Sequence, residues 1–225
     1  MKIIDLTHTI TETMPVYPGT EPPKLEVSNT YEEHGFKETL LTMFSHTGTH
    51  MDAPSHIFAH RTTLDKMPPE QFIGTALVID CRDSAESRSI DISYIDAVRD
   101  KADQAEFLLF YTGWDQKWGT PSYFEEYPCI TQEVADYLTV TGKKGIGLDT
   151  IGLDPVSDGH LTLHRRLLKD CDMVIIENLT HLDEIGSELC TFFALPLKYQ
   201  NSDGAPIRAM AMISESLDPI KSQSG

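Results

Sequence analysis

The apolar residues of this chain are gathered into short runs, and no other feature of the sequence constrains the fold as strongly. Gly74-Thr75-Ala76-Leu77-Val78-Ile79-Asp80-Cys81 and Glu106-Phe107-Leu108-Leu109-Phe110-Tyr111-Thr112 are short, rich in β-branched and aromatic residues, and bounded by polar residues, the pattern of buried strands. Gly145 to Asp149, Asp172 to Glu177, Thr191 to Leu197 and Pro206 to Ile213 repeat the type. Together they predict one large sheet. No apolar run approaches the roughly 18 residues of a membrane span.

Helical pattern is sparser. Thr131 is placed to cap a helix carrying Val134, Tyr137 and Leu138 on one face, with Gly142 as its stop. A second helix is expected from Ser93 to about Lys101, and a third from about Gly159 to Lys169, where Leu161, His164 and Leu168 share a side. Strands alternating with helices give an α/β class, while a nearly helix-free N-terminal third argues against a plain doubly wound sheet. No repeat is present, and 225 residues suit one domain spanning 1–225.

Charge and cysteine usage narrow the function. With 35 Asp and Glu against 18 Lys and Arg, the formal net charge is −17, which repels nucleic-acid phosphates and anionic membranes. The N-terminus lacks the apolar stretch and cleavage site of a signal peptide, so a cytoplasmic location is expected. Cys81, Cys129, Cys171 and Cys190 form no C-x-x-C pair and are expected as buried, reduced core thiols. There is no G-x-S-x-G elbow and no Gly-rich phosphate loop, which disfavours a serine hydrolase or an oxidoreductase.

Chemistry concentrates instead in His46-Thr47-Gly48-Thr49-His50-Met51-Asp52-Ala53-Pro54-Ser55-His56. Imidazole nitrogen and carboxylate oxygen suit zinc, manganese and related divalent ions, and three protein ligands beside an open position mark a catalytic site. On a helix His46 and His50 would share a face; in a strand His50 and Asp52 would alternate onto one side. A His-rich polar loop with no metal is the bland alternative, and for a single histidine it is the better one. The spaced set with Asp52 favours metal.

The same string resembles the H-x-G-T-H-x-D-x-P-x-H signature of the metal-dependent cyclase family, whose best-known enzymes are bacterial kynurenine formamidases. Tyr111-Thr112-Gly113-Trp114 with Trp118-Gly119, Gly147-Leu148-Asp149-Thr150 with Leu153-Asp154-Pro155, and Ile176-Glu177-Asn178-Leu179 resemble further family blocks in the same order. The resemblance implies a swivelling β/β/α fold with a mixed β-sheet and few helices, a homo-oligomer (dimer or tetramer), and two divalent ions per chain, zinc or else manganese. It makes His46, His50 and Asp52 the first ion's ligands, with Asp52 bridging to a second ion held by His164 and Glu177. Read without it, His164 is a core-edge histidine and Glu177 a solvated strand end, and His160 is the rival ligand. His56 matches the family's catalytic histidine, which takes a proton from metal-bound water and returns it to the leaving nitrogen. Tyr17, in Pro15-Val16-Tyr17-Pro18-Gly19, stands where the formamidases show a substrate-facing tryptophan; it keeps an aromatic face and adds a polar tip. Trp114 and Trp118 are expected in pocket or core.

The activity implied is hydrolysis of a non-peptide carbon–nitrogen bond in a small molecule, of arylformamidase type. Hydrolysis of a lactone or cyclic imide, or a cyclisation with dehydration, would use the same site. A non-catalytic metal-binding module is the reading of a different class, and a closed four-ligand site would be its mark.

Overall fold

The computed structural model describes residues 1–213. Its strands are β1 (Lys2–Asp5), β2 (Lys24–Asn29), β3 (Glu38–Thr42), β4 (His50–Asp52), β5 (Ile73–Asp80), β6 (Ser89–Ile90), β7 (Phe107–Tyr111), β8 (Cys129–Ile130), β9 (Gly145–Leu148), β10 (Val174–Glu177), β11 (Cys190–Pro196) and β12 (Gly204–Ile213). The helices are short: α1 (Tyr31–His34), α2 (Ile92–Asp96), α3 (Arg99–Gln104), α4 (Gln132–Val140) and α5 (Thr162–Leu168). No described helix is long and apolar enough to cross a membrane.

Eight strands form one mixed sheet in the order β1-β12-β11-β5-β7-β9-β10-β4. The sheet closes on β12. One edge of this ten-residue strand pairs with β11, while the other pairs first with β4 and then with β1, so β4 returns to the strand order near its start. The result is an α/β fold with a mixed sheet and few helices, as expected, and its core is barrel-like. Each strand expected from an apolar run is present, with ends shifted by no more than two residues.

Successive residues of the central strands serve opposite faces. On β7, Phe107, Leu109 and Tyr111 join a cluster with Met51, Ile176 and Phe192, whereas Leu108 and Phe110 join Leu138 of α4 and Leu167 of α5 in another. A strand buried on both faces must read as a continuous apolar run. Each such Leu or Phe contributes on the order of 1.5–3 kcal/mol on burial.

The helices correct two expectations. The stretch 93–101 is two helices, because Val98 takes φ −130° and ψ 25° and interrupts the first before α3 begins. The third helix begins at Thr162 rather than near Gly159, since Leu161 sits at φ +51° and the Asp158 carboxylate accepts the backbone N–H of both His160 and Thr162. Thr131 does cap α4, accepting from the Val134 N–H, and Gly142 follows at φ +66°. Among the cysteines, Cys81 and Cys190 are buried but Cys129 and Cys171 only half-buried; all four are free thiols.

Candidate metal and substrate site

The candidate site begins with the register of β4. In this strand Met51 enters the apolar cluster, so His50 and Asp52 share the opposite side. On β10, Glu177 lies directly across from His50 and Ile175 across from Asp52. Three ligand-type side chains are therefore neighbours by strand pairing alone. All are buried, Asp52 to 1% exposure.

Local turns bring in the rest. Gly48, at φ +65°, reverses the chain between His46 and His50, a conformation that costs a non-glycine residue roughly 1–2 kcal/mol. Gly204, paired with Asp52, leaves room for the His46 ring: a Cβ there would stand 2.4 Å from its Cε1. A single 3₁₀ turn over Pro54–His56, opened by proline, sets His56 beside His46 with ring centroids 4.1 Å apart. From the far side, α5 delivers His164.

The donor set fits divalent cations. His50 donates from Nδ1 to the Gly48 carbonyl at 2.8 Å, and its Nε2 faces Asp52 at 3.4 Å and Glu177 at 3.5 Å. His164 is held likewise: Nδ1 donates to Asp154 at 2.6 Å, and Nε2 faces Asp52 at 3.2 Å and Glu177 at 3.3 Å. Inner ring nitrogens that converge on two buried carboxylates while the outer nitrogen is held are how metal-ligating histidines are oriented. His50, Asp52 and Glu177 place ligand atoms within 4.8 Å of one another, as do His46, Asp52 and His56, so Asp52 belongs to both groups.

His46 spans two carboxylates, Asp52 at 2.6 Å from Nδ1 and Asp203 at 3.0 Å from Nε2. Burial pulls its pKa down, but Asp52 and Asp203 outweigh that and push it up to about 10. Burial likewise works against the Asp52 charge, yet His46, His164 and His50 hold its carboxyl well below the usual range. His56 behaves differently. Burial lowers its pKa, opposed by Asp52 and reinforced by the positive rings of His46 and His164. Its nearest carboxylate, Asp203, is 4.0 Å from Nδ1, too far for a hydrogen bond. A neutral imidazole free of a tight partner results.

These groups open into a cavity of about 560 Å³, walled by Pro15, Val16, Tyr17, Phe44, Ile151 and Leu161. His46, His50, Asp52, His56, His164 and Glu177 all line it, and so does Tyr17. Among the described residues no lysine or arginine does. His160 is exposed and lies outside it. Trp114 is buried with its indole N–H donating to the Tyr123 carbonyl, and Trp118 stacks on His8 at 3.9 Å; neither reaches the cavity.

Three residues were not singled out from the sequence. Asp154 accepts the backbone N–H groups of Leu163 and His164 and the His164 ring, capping α5 while aiming its histidine. Asp203 holds His46 and accepts from the Tyr199 hydroxyl at 3.0 Å. Asn178, at φ +59°, donates to the Gly48 carbonyl and accepts from Tyr123, tying the histidine loop to β10. Asp154 and Asn178 stood in the sequence only as members of the blocks that resemble the family, with no role attached, and Asp203 only as a polar residue at the edge of an apolar run.

Comparison with known proteins places these features in a family. A family model described as putative cyclase matches residues 4–155. A kynurenine formamidase of Geobacillus thermodenitrificans is 32% identical over 208 residues, covering 92% of this chain and 95% of its own. Isatin hydrolase A from Labrenzia aggregata, solved with benzyl benzoate, superposes with a TM-score of 0.82 at 26% identity, over 95% of this chain and 94% of that one. A potential metal-dependent hydrolase with cyclase activity gives a TM-score of 0.71 at 27% identity, over 93% and 96%.

Proposed function

Because the chain belongs to the putative cyclase family and is a metal-dependent hydrolase of arylformamidase-like type, we propose that it hydrolyses a non-peptide carbon–nitrogen bond in a small molecule, an arylformamide or a cyclic amide. The observation that carries this is the pair His50 and His164, each with its outer nitrogen held and its inner nitrogen aimed at Asp52 and Glu177, beside an untethered His56. His46, His50 and Asp52 would hold one divalent ion, and Asp52, His164 and Glu177 a second, with Asp52 between them. Nitrogen and oxygen donors suit zinc, or manganese in its place. Such an ion lowers the pKa of water toward about 7 and polarises a carbonyl.

The chain's own groups do the rest. His56, neutral because it is buried among positive rings, accepts the proton of the attacking water as its oxygen bonds to the carbonyl carbon. It then returns that proton to the nitrogen as the carbon–nitrogen bond breaks. Tyr17 and Phe44 cover the faces of a flat substrate, and Ile151 and Leu161 exclude water. The lack of a lining lysine or arginine favours a substrate without a carboxylate, which gives the cyclic amide its place as the second reading. We assign the enzyme to the cytoplasm, as a homo-oligomer.

Metal analysis of protein purified without chelator, paired with turnover of N-formylkynurenine, a cyclic amide and a lactone, tests this. Bound metal with hydrolysis of either amide is expected. Bound metal in a closed, water-free site with no turnover of any amide would leave a metal-binding module in its place.

A further inference from the structure

Five carboxylates line the cavity, those of Asp52, Asp154, Asp158, Glu177 and Asp203, and histidines engage four of them. Asp52 and Glu177 face the inner nitrogens of His50 and His164, Asp154 holds the outer nitrogen of His164, and Asp203 holds His46. Asp158 is the exception. Among the described residues no lysine or arginine pairs with it, and its hydrogen bonds come from Thr162 and His160 of its own turn. Those bonds hold its pKa below the usual carboxylate range, so at neutral pH it is charged and fixed in place but not neutralised. Its backbone N–H donates to the Pro155 carbonyl, and its carbonyl accepts from the Leu161 N–H, which closes the turn at both ends. Leu161, held there at φ +51°, supplies apolar wall to the same cavity.

Depth separates these groups. Asp52, Glu177 and His164 are buried, whereas Asp158 is half-buried and Tyr17 is 38% exposed, so the last two stand toward the mouth. Burial raises the Tyr17 pKa, and Glu177, Asp154 and Asp158 add to that against His164, which puts Asp158 among the charges close to the ring. Thr20 donates both its N–H and its hydroxyl to the Tyr17 carbonyl and holds that turn, while no protein group bonds the Tyr17 hydroxyl among the described residues. An aromatic ring beside a carboxylate that no protein cation neutralises is an arrangement that takes an organic cation.

We propose that Asp158 and Tyr17 receive a positively charged group of the substrate at the mouth of the cavity, so that Asp158 determines specificity for a cationic amide without a carboxylate. The cavity then reads from inside out. The amide meets the buried nitrogen and oxygen donors and His56, the flat body lies against Ile151 and Leu161, and the outward end meets the Asp158 charge and the Tyr17 face. A substrate carboxylate at the same mouth would meet Asp158 with no lysine or arginine in the lining to offset it, so an amino acid's paired charges fit worse than a lone cation. The net charge of −17 acts in the same sense at longer range, drawing cations toward the protein before they reach the mouth.

The proposal rests on the reading above in treating the cavity as the substrate's, and its test needs no turnover. Benzyltrimethylammonium is the probe, because a quaternary nitrogen carries the charge yet cannot ligate a metal ion, and benzyl alcohol is its neutral reference. Both are titrated by NMR into the metal-loaded full chain and into Asp158→Asn. The cation should bind the variant about tenfold more weakly than the wild type, while the affinity for benzyl alcohol stays within about twofold. Asp158→Ser keeps a capping oxygen and drops the charge, so it decides the matter should the first variant misfold. In the wild type alone, raising the salt to about 0.5 M should weaken the cation and leave the alcohol unchanged, since an exposed charge is screened. Equal affinity for the cation in wild type and folded variant, a loss shared equally by the alcohol, or a cation affinity indifferent to salt overturns the proposal. Failure to hydrolyse any amide strikes only the functional reading and leaves these measurements standing.

Discussion

The β4–β10 centre and the β2–β3 arm break the same rule in opposite directions. In the centre, charged groups lie at the bottom of the molecule: Asp52, His50, His164 and Glu177 are all buried, with every ring nitrogen turned to a partner. On the arm, large apolar groups stand in water. Burying an unpaired charge costs several kcal/mol, and each exposed Leu or Phe forgoes about 1.5–3 kcal/mol, so neither arrangement follows from stability alone. The contrast teaches what each region is arranged for: the centre gathers nitrogen and oxygen donors that suit a cation, while the arm presents apolar side chains outside the cover of the main sheet.

The sharpest way to break this contrast is at Asp52, which both ligand groups share. Asp52→Asn should abolish tight metal binding and reduce turnover to background, as metal analysis and an amide assay would show. Metal retained at both sites would end the bridging role. His56→Ala comes next, with kcat down about 10²- to 10⁴-fold and metal content unchanged. Unaltered kcat would remove His56 from the chemistry.

Asp154→Asn should weaken metal binding about 10- to 100-fold, since it loosens the hold on His164 Nδ1 without deleting a ligand. Competition with a chelator measures that. The pH dependence follows from His46, whose pKa in the metal-free protein is pushed up from 6.5 to about 10. Below that value the ring is protonated and must release its proton to bind metal, so affinity should rise with pH between 6.5 and 10, by about tenfold per unit for one proton displaced. Affinity independent of pH across this range would take His46 out of the ligand set.

The smallest effect belongs to the arm. Thr30→Ala removes the α1 cap and should cost the arm about 1 kcal/mol, yet leave the unfolding midpoint of the sheet within a degree or two. A large fall would mean the arm is part of the core.

Much of the core was legible because β5, β7, β9, β10, β11 and β12 announce themselves as apolar runs. The helices were less legible. Neither the break at Val98 nor the late start of α5 depends on periodicity: one is a single residue's dihedral angle, and the other is the positive φ of Leu161 with the Asp158 carboxylate holding the N–H groups of His160 and Thr162. In the candidate site, the window His46–His56 was visible by density, and His164 and Glu177 only by resemblance. Asp203 and Asp154 were not recognised, because holding a ring nitrogen is a matter of position in space and leaves no local spacing. The exposed arm was equally hidden, for Leu40 and Leu41 read like core residues until the sheet is seen to close without them.

By itself the sequence determined that this chain builds one large sheet and carries a metal-type cluster, since apolar runs and clustered donors are properties of neighbours along the chain. Only the tertiary structure decided that Glu177 lies across from His50, that α5 carries His164 and not His160 into the cavity, and that an apolar arm is left outside. Those depend on strand register and helix start, which are settled by how the whole sheet packs and closes rather than by any segment alone.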